Sequence, residues 1–131
     1  MNKKERLYCE LLWAEEKYLV LSKSQLIYKE IREYLKGEDI SKETLKAMID
    51  RAKNLPENRK EVVNALQHIW GYFKKLAQAE EKALFLTLLG EYQQEKTEKD
   101  KVLAYLWQLL QKYPNTYLQN STIFQEEKKE G

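Results

Sequence analysis

Asn64, His68, Gly71 and Tyr72 occupy one short stretch, NALQHIWGYFKK, residues 64–75. Residues four apart on a helix are neighbours, so an imidazole, an amide and a phenol at 68, 64 and 72 can hydrogen-bond together along one surface. Histidine is the side chain best suited to proton transfer near neutral pH, which makes His68, the chain's single histidine, the candidate general acid or base of an enzyme. Asn, His and Gly all weaken a helix relative to Ala, so their place inside an otherwise helical pattern calls for an offsetting gain. Gly71 also leaves a gap through which another backbone or a ligand can approach.

The partners that such chemistry needs are missing from the sequence. There is no Gly-rich phosphate loop, no His-x-x-x-His pair and no strained nucleophile turn, and a di-iron helix motif fails because Ala65 stands where a Glu is needed. Cys9 is the only cysteine, so neither an intramolecular disulfide nor an iron–sulfur cluster can be built within this chain, and no metal or other cofactor is expected. It reads as a small buried apolar residue. Adjacent helical residues point about 100° apart, so Glu15-Glu16 and Glu80-Glu81 do not converge on one proton and read as solvated surface.

These side chains must be positioned by helices. The 131 residues suffice for one domain, and 34% charged, 43% hydrophobic residues with only four Gly and two Pro suit an all-α bundle of about five to six helices. The apolar stripe of residues 3–35 changes sides midway, from Leu7, Leu11 and Tyr18 to Trp13, Val20, Ile27, Ile31 and Tyr34, which predicts either a break near Ser22–Ser24 with Ser24 as cap, the reading preferred here, or one long helix that meets different partners along its length. Ser41 caps a helix to about Lys53, Pro56 opens the next over residues 57–77, and further helices follow over 80–94, with Leu84, Leu88 and Tyr92 at four-residue spacing, and from 97 or 98 to Tyr113-Pro114. The helical domain is bounded as 1–124, and 125–131 is expected to be a frayed charged tail.

Within residues 57–77, Val62, Leu66, Ile69, Phe73 and Leu76 form a continuous apolar seam. Asn64, His68, Gly71 and Lys75 share a stripe turned from it. The alternative is a central helix buried on both sides, with Asn64 and His68 bonded to a neighbouring helix and Gly71 admitting close packing. With 23 Lys and Arg against 21 Asp and Glu, the net charge of +2 is no signature of bulk nucleic-acid binding, so any basic patch is local. The first residues lack the uninterrupted apolar core of a signal peptide or membrane span, and a cytoplasmic location is expected.

The stretch of residues 64–75 resembles the signature of the YbgA-like domain, a bacterial domain of unknown function with the approximate pattern N-x-L-x-H-x-x-G-Y-F-K. Asn64, Leu66, His68, Gly71, Tyr72, Phe73 and Lys74 all match it. EKYLVLSKSQLIYKEI and YPNTYLQNSTIF are similar to the family's opening and closing segments, so the resemblance spans most of residues 13–124. Lys23 stands where the family's first segment carries a His, Leu21-Ser22 replaces a Met-Ala, and Gln93-Gln94-Glu95 replaces an Arg-x-Gly. YbgA-like domains also occur fused to a desulfidase that acts on thiolated pyrimidines through an iron–sulfur cluster, where the YbgA-like part is thought to hold tRNA. The resemblance therefore implies an accessory module and not the desulfurising chemistry.

Three functions follow as expectations. The first is an accessory module holding RNA or presenting a thiolated nucleotide: Lys17, Lys23, Lys74 and Lys75 contact phosphates, Trp13, Tyr72 or Tyr117 stacks on an exposed base, and Asn64, His68, Gly71 and Asn120 complete the surface. The second is a small enzyme using His68. The third is a docking or dimerisation face, with a separate desulfidase chain as the partner, because Gly71 permits close helix approach.

Overall fold

The computed structural model describes residues 3–130. Ser24 interrupts the first apolar run with an extended backbone, φ −164°, and its hydroxyl accepts the Ile27 amide at 3.1 Å. Helix α1 (Lys3–Lys23) thus ends one residue before α2 (Gln25–Leu35), where the change of apolar side predicts it. Ser41 caps α3 (Lys42–Lys53) in the same way. Helix α4 (Arg59–Trp70) is capped by Asn58, whose side chain accepts the Glu61 amide, and Pro56 lies ahead of the cap and outside the helix. Helices α5 (Ala79–Gln93) and α6 (Lys99–Lys112) follow, and α6 stops at Tyr113 before Pro114.

The bundle has more helices than the five to six expected. Asn115 caps a four-residue α7 (Thr116–Gln119), Ser121 caps a 3-10 turn (Thr122–Phe124), and α8 (Gln125–Glu130) brings the described residues to eight α-helices with no strand. Residues 125–130, expected to fray, are helical and pack against α6 and the 3-10 turn, while Gly131 lies outside the described residues. Polar caps recur every few residues here, and no long apolar period advertises such short elements.

Helix α1 is the spine. It packs on α4, α3 and α2, and runs antiparallel to α4: Tyr18 meets Tyr72 beyond the end of α4, while Gln25 meets Glu61 near its start. Two cores share it. Tyr18 and Leu21 join Leu66, Ile69, Phe73, Phe85, Leu106 and Phe124 in the larger core; Cys9 and Val20 join Ile27, Ile31, Leu45 and Ile49 in the smaller. Burying each such aliphatic or aromatic side chain contributes about 1.5–3 kcal/mol against solvent exposure.

Three readings of the pattern need correction. In α5 the buried residues are Phe85, Leu89 and Tyr92, and Leu84 is exposed, because Leu or Phe recurs on every side of this helix and spacing cannot choose its inner face. Leu76, placed last in the α4 seam, is also exposed, since the helix ends at Trp70 and residues 71–76 continue as turns. Glu16 and Glu81 are not solvated surface. Glu16 is only 5% exposed and pairs with Lys53 at 2.6 Å, joining α1 to α3. Glu81 accepts the Gln78 amide at 2.8 Å, the Tyr113 hydroxyl at 2.7 Å and the Lys112 ammonium at 3.0 Å, which holds its carboxyl down at about 2.

Candidate binding surface

The end of α4 decides the surface. Gly71 keeps a right-handed backbone, φ −53°, and its amide reaches the carbonyls of both Gln67 and His68 at 3.2 Å as the helix tightens into three-residue turns. A Cβ at this position would lie 3.0 Å from the His68 carbonyl oxygen. The glycine thus relieves a local backbone crowding, a more immediate role than admitting another helix.

Past this turn Tyr72 leaves the helical path and swings towards α1. Its hydroxyl and that of Tyr18 are 2.7 Å apart, with ring centroids 6.0 Å apart at 87°. Tyr117, from α7, lies edge-on to Tyr18 at 6.4 Å and nearly parallel to Tyr72 at 6.4 Å and 16°. Three tyrosines from three separated segments form one cluster. Burial raises the Tyr18 phenol far above its ordinary value, with its hydrogen bond to Tyr72 adding to it, and burial raises that of Tyr117 as well. Both therefore stay neutral hydrogen-bonding groups. The Lys17 ammonium lies 5.4 Å from the ring centre of buried Tyr18 and 5.3 Å from that of half-buried Tyr117, a cation–π arrangement. Beside Tyr117, Asn120, Leu11 and Ala14 border an open groove of about 300 Å³.

His68, Gly71, Lys74 and Lys75 are exposed, and Asn64 is half-buried. From His68 onward the stripe therefore faces solvent, and the alternative of a His68 enclosed between helices does not hold. The hydrogen-bonded row of Asn64, His68 and Tyr72 does not form, because α4 ends before Tyr72 and that phenol is taken by Tyr18. The Asn64 amide nitrogen is enclosed without a hydrogen-bond partner among the described residues.

Two expected site residues lie elsewhere. Lys23 is near the start of α4 and donates to the Leu55 carbonyl at 2.9 Å. Trp13 tilts against Tyr28 at 5.5 Å in the smaller core. Conversely, Tyr18 belongs to the cluster although its spacing marked it only as stripe; the pair Lys17-Tyr18, a cation beside a phenol, was the one local signal. No group of three acidic, His or Cys side chains able to hold a metal occurs among the described residues, and none of their helices is long and apolar enough to cross a membrane.

The family described as Protein of unknown function (DUF1722) matches residues 17–127, which include Lys17, Tyr18, the whole stretch 64–75 and Tyr117. The chain belongs to the DUF1722 family. This is also the family of the YbgA-like domains that its motifs resemble. No curated protein and no solved structure matches the chain. In this DUF1722 chain the matched span leaves out Trp13, which the fold also sets apart from the tyrosine cluster.

Proposed function

We propose that this chain is a non-catalytic helical module that holds RNA, with a base seated against the Tyr72–Tyr117 rings and phosphates on Lys17, Lys74 and Lys75. The observation that carries it is Lys17 set over the partly exposed ring of Tyr117, which lies nearly parallel to that of Tyr72 and beside a groove, with two exposed lysines following Tyr72 in the chain. Aromatic faces with nearby cations are the usual means of holding unpaired bases, and each stacked base contributes about 1–3 kcal/mol. Asn120, beside the groove, and exposed His68 supply further hydrogen-bonding groups. Exposed His68 has no partner that would orient it as an acid or base among the described residues, which favours binding over turnover.

The test is a gel-shift titration with bulk tRNA across salt concentrations. Three phosphate contacts to unpaired RNA predict a log–log slope near −2, so that affinity falls roughly twentyfold between about 50 and 200 mM salt. Lys17→Ala should lower affinity and make the slope shallower by about 0.7. Tyr117→Ala should lower affinity without altering the slope. Absence of tRNA binding at low salt, or a Lys17→Ala variant with the parent's affinity and slope, overturns the reading.

A further inference from the structure

A cavity of about 260 Å³ lies at the other end of α4, enclosed by the end of α1, the starts of α4 and α6, the 3-10 turn and α8. Buried Val62, Leu66, Leu103 and Ile123 form its apolar floor together with half-buried Leu19. The helix that closes it does not match that floor. Helix α8 reads QEEKKE, so it has no apolar side chain to lay against the leucines it covers. The volume sits just below the range of about 300–1,000 Å³ typical of sites for drug-sized ligands, so the space suits a small apolar body.

The charges at the mouth decide what else the occupant carries. Glu57 accepts the Tyr92 hydroxyl at 2.6 Å and shares Lys99 with Asp100, at 3.8 and 3.5 Å respectively. Glu126 is paired with Lys129 at 3.7 Å, and Glu127 is engaged as well. The acids of the mouth are thus already held, and Lys23 and Lys99 balance Glu57 and Asp100 in number. A balanced mouth offers no net charge to a ligand, so an ammonium or a carboxylate group would arrive uncompensated. One donor is left over. The Lys23 ammonium, with three protons to give, meets only the Leu55 carbonyl at 2.9 Å among the described residues, and can donate to a second neutral oxygen.

We propose that this cavity binds a small uncharged molecule with an aliphatic body and one hydrogen-bond-accepting oxygen, the chemical class of the medium-chain alcohols and amides. The body covers Leu19, Leu103 and Ile123, the oxygen accepts from Lys23, and α8 closes over both. This site is separate from the tyrosine cluster, and its occupancy does not depend on RNA binding.

Titration of the full chain followed by NMR tests it, with hexanol, hexanamide, hexanoate and hexylamine as probes. Hexanol or hexanamide should shift the methyl signals of Leu103 and Ile123 saturably, and should bind at least about tenfold more tightly than either charged probe, whose head loses hydration at the mouth without gaining a counter-charge. Lys23→Met, which keeps the apolar stem but donates nothing, should weaken the neutral probes by about tenfold, the loss expected for a hydrogen bond from a charged donor. Leu103→Phe, which narrows the space above the floor, should weaken them as well. The four probes on the parent chain decide the matter even if a variant fails to fold. No saturable shift at Leu103 and Ile123 with any probe at millimolar concentration overturns the proposal, as does hexanoate or hexylamine binding as tightly as the neutral pair.

Discussion

Glu81 shows how one carboxylate can be worth more than its place in the sequence suggests. It takes hydrogen bonds from a backbone amide, a phenol and an ammonium, and these hold its pKa at about 2, below the ordinary value near 4.5. The unfolded chain therefore takes up this proton first as pH falls. The stability contributed by Glu81 is present above about pH 4.5 and is lost progressively towards about pH 2. Glu81→Gln should accordingly be less stable than the parent at neutral pH, and should lose less stability over that acid window, as followed by urea midpoints at a series of pH values. Tyr72 offers a second test on the same scale. Tyr72→Phe leaves the Tyr18 hydroxyl, on a side chain only 6% exposed, without its 2.7 Å partner, at a cost of about 1 kcal/mol in denaturant unfolding. The ring remains, so tRNA affinity should stay close to that of the parent.

At the scale of elements, helix ends determine what the side chains can do. Ser24 separates two helices whose inward faces differ, and one hydroxyl satisfying the Ile27 amide fixes the break. Ser24→Ala should cost about 1 kcal/mol in unfolding free energy, the usual penalty for losing such a cap. A variant as stable as the parent would mean that packing of Ile27 and Ile31 alone sets the boundary. The end of α4 has the larger functional consequence. Continued past Trp70, the helix would hold Tyr72 in line with His68; by tightening at Gly71 it delivers Tyr72 to Tyr18 and Tyr117 instead.

Over the whole molecule, α1 ties the two cores into one unit, since Tyr18 and Leu21 face the larger core while Cys9 and Val20 face the smaller. Cys9 is fully buried, and its thiol is pushed up in pKa, mainly by burial, so it reports opening of the smaller core. Leu66→Ala, in the larger core, should cost about 3 kcal/mol. If the cores unfold together, the rate of Cys9 labelling by a thiol reagent rises roughly a hundredfold in that variant. Unchanged labelling would show that α2 and α3 open independently.

The helical class, the break at Ser24, the cap at Ser41, the stop at Tyr113-Pro114 and the family membership could all be read from the chain, because caps, breakers and motifs are local and leave their signature in consecutive residues. That His68, Gly71 and Lys75 lie away from the seam of Val62, Leu66 and Ile69 was legible for the same reason, but whether that side meets solvent or another helix was not. Tertiary structure alone decided the rest. Which side of α5 is buried, the pairing of Glu16 with Lys53, the meeting of Tyr18, Tyr72 and Tyr117, and the separation of Lys23 and Trp13 from them all depend on contacts between distant segments. Those contacts are selected by the joint packing of several helices, and no spacing within one helix encodes which neighbour it will meet.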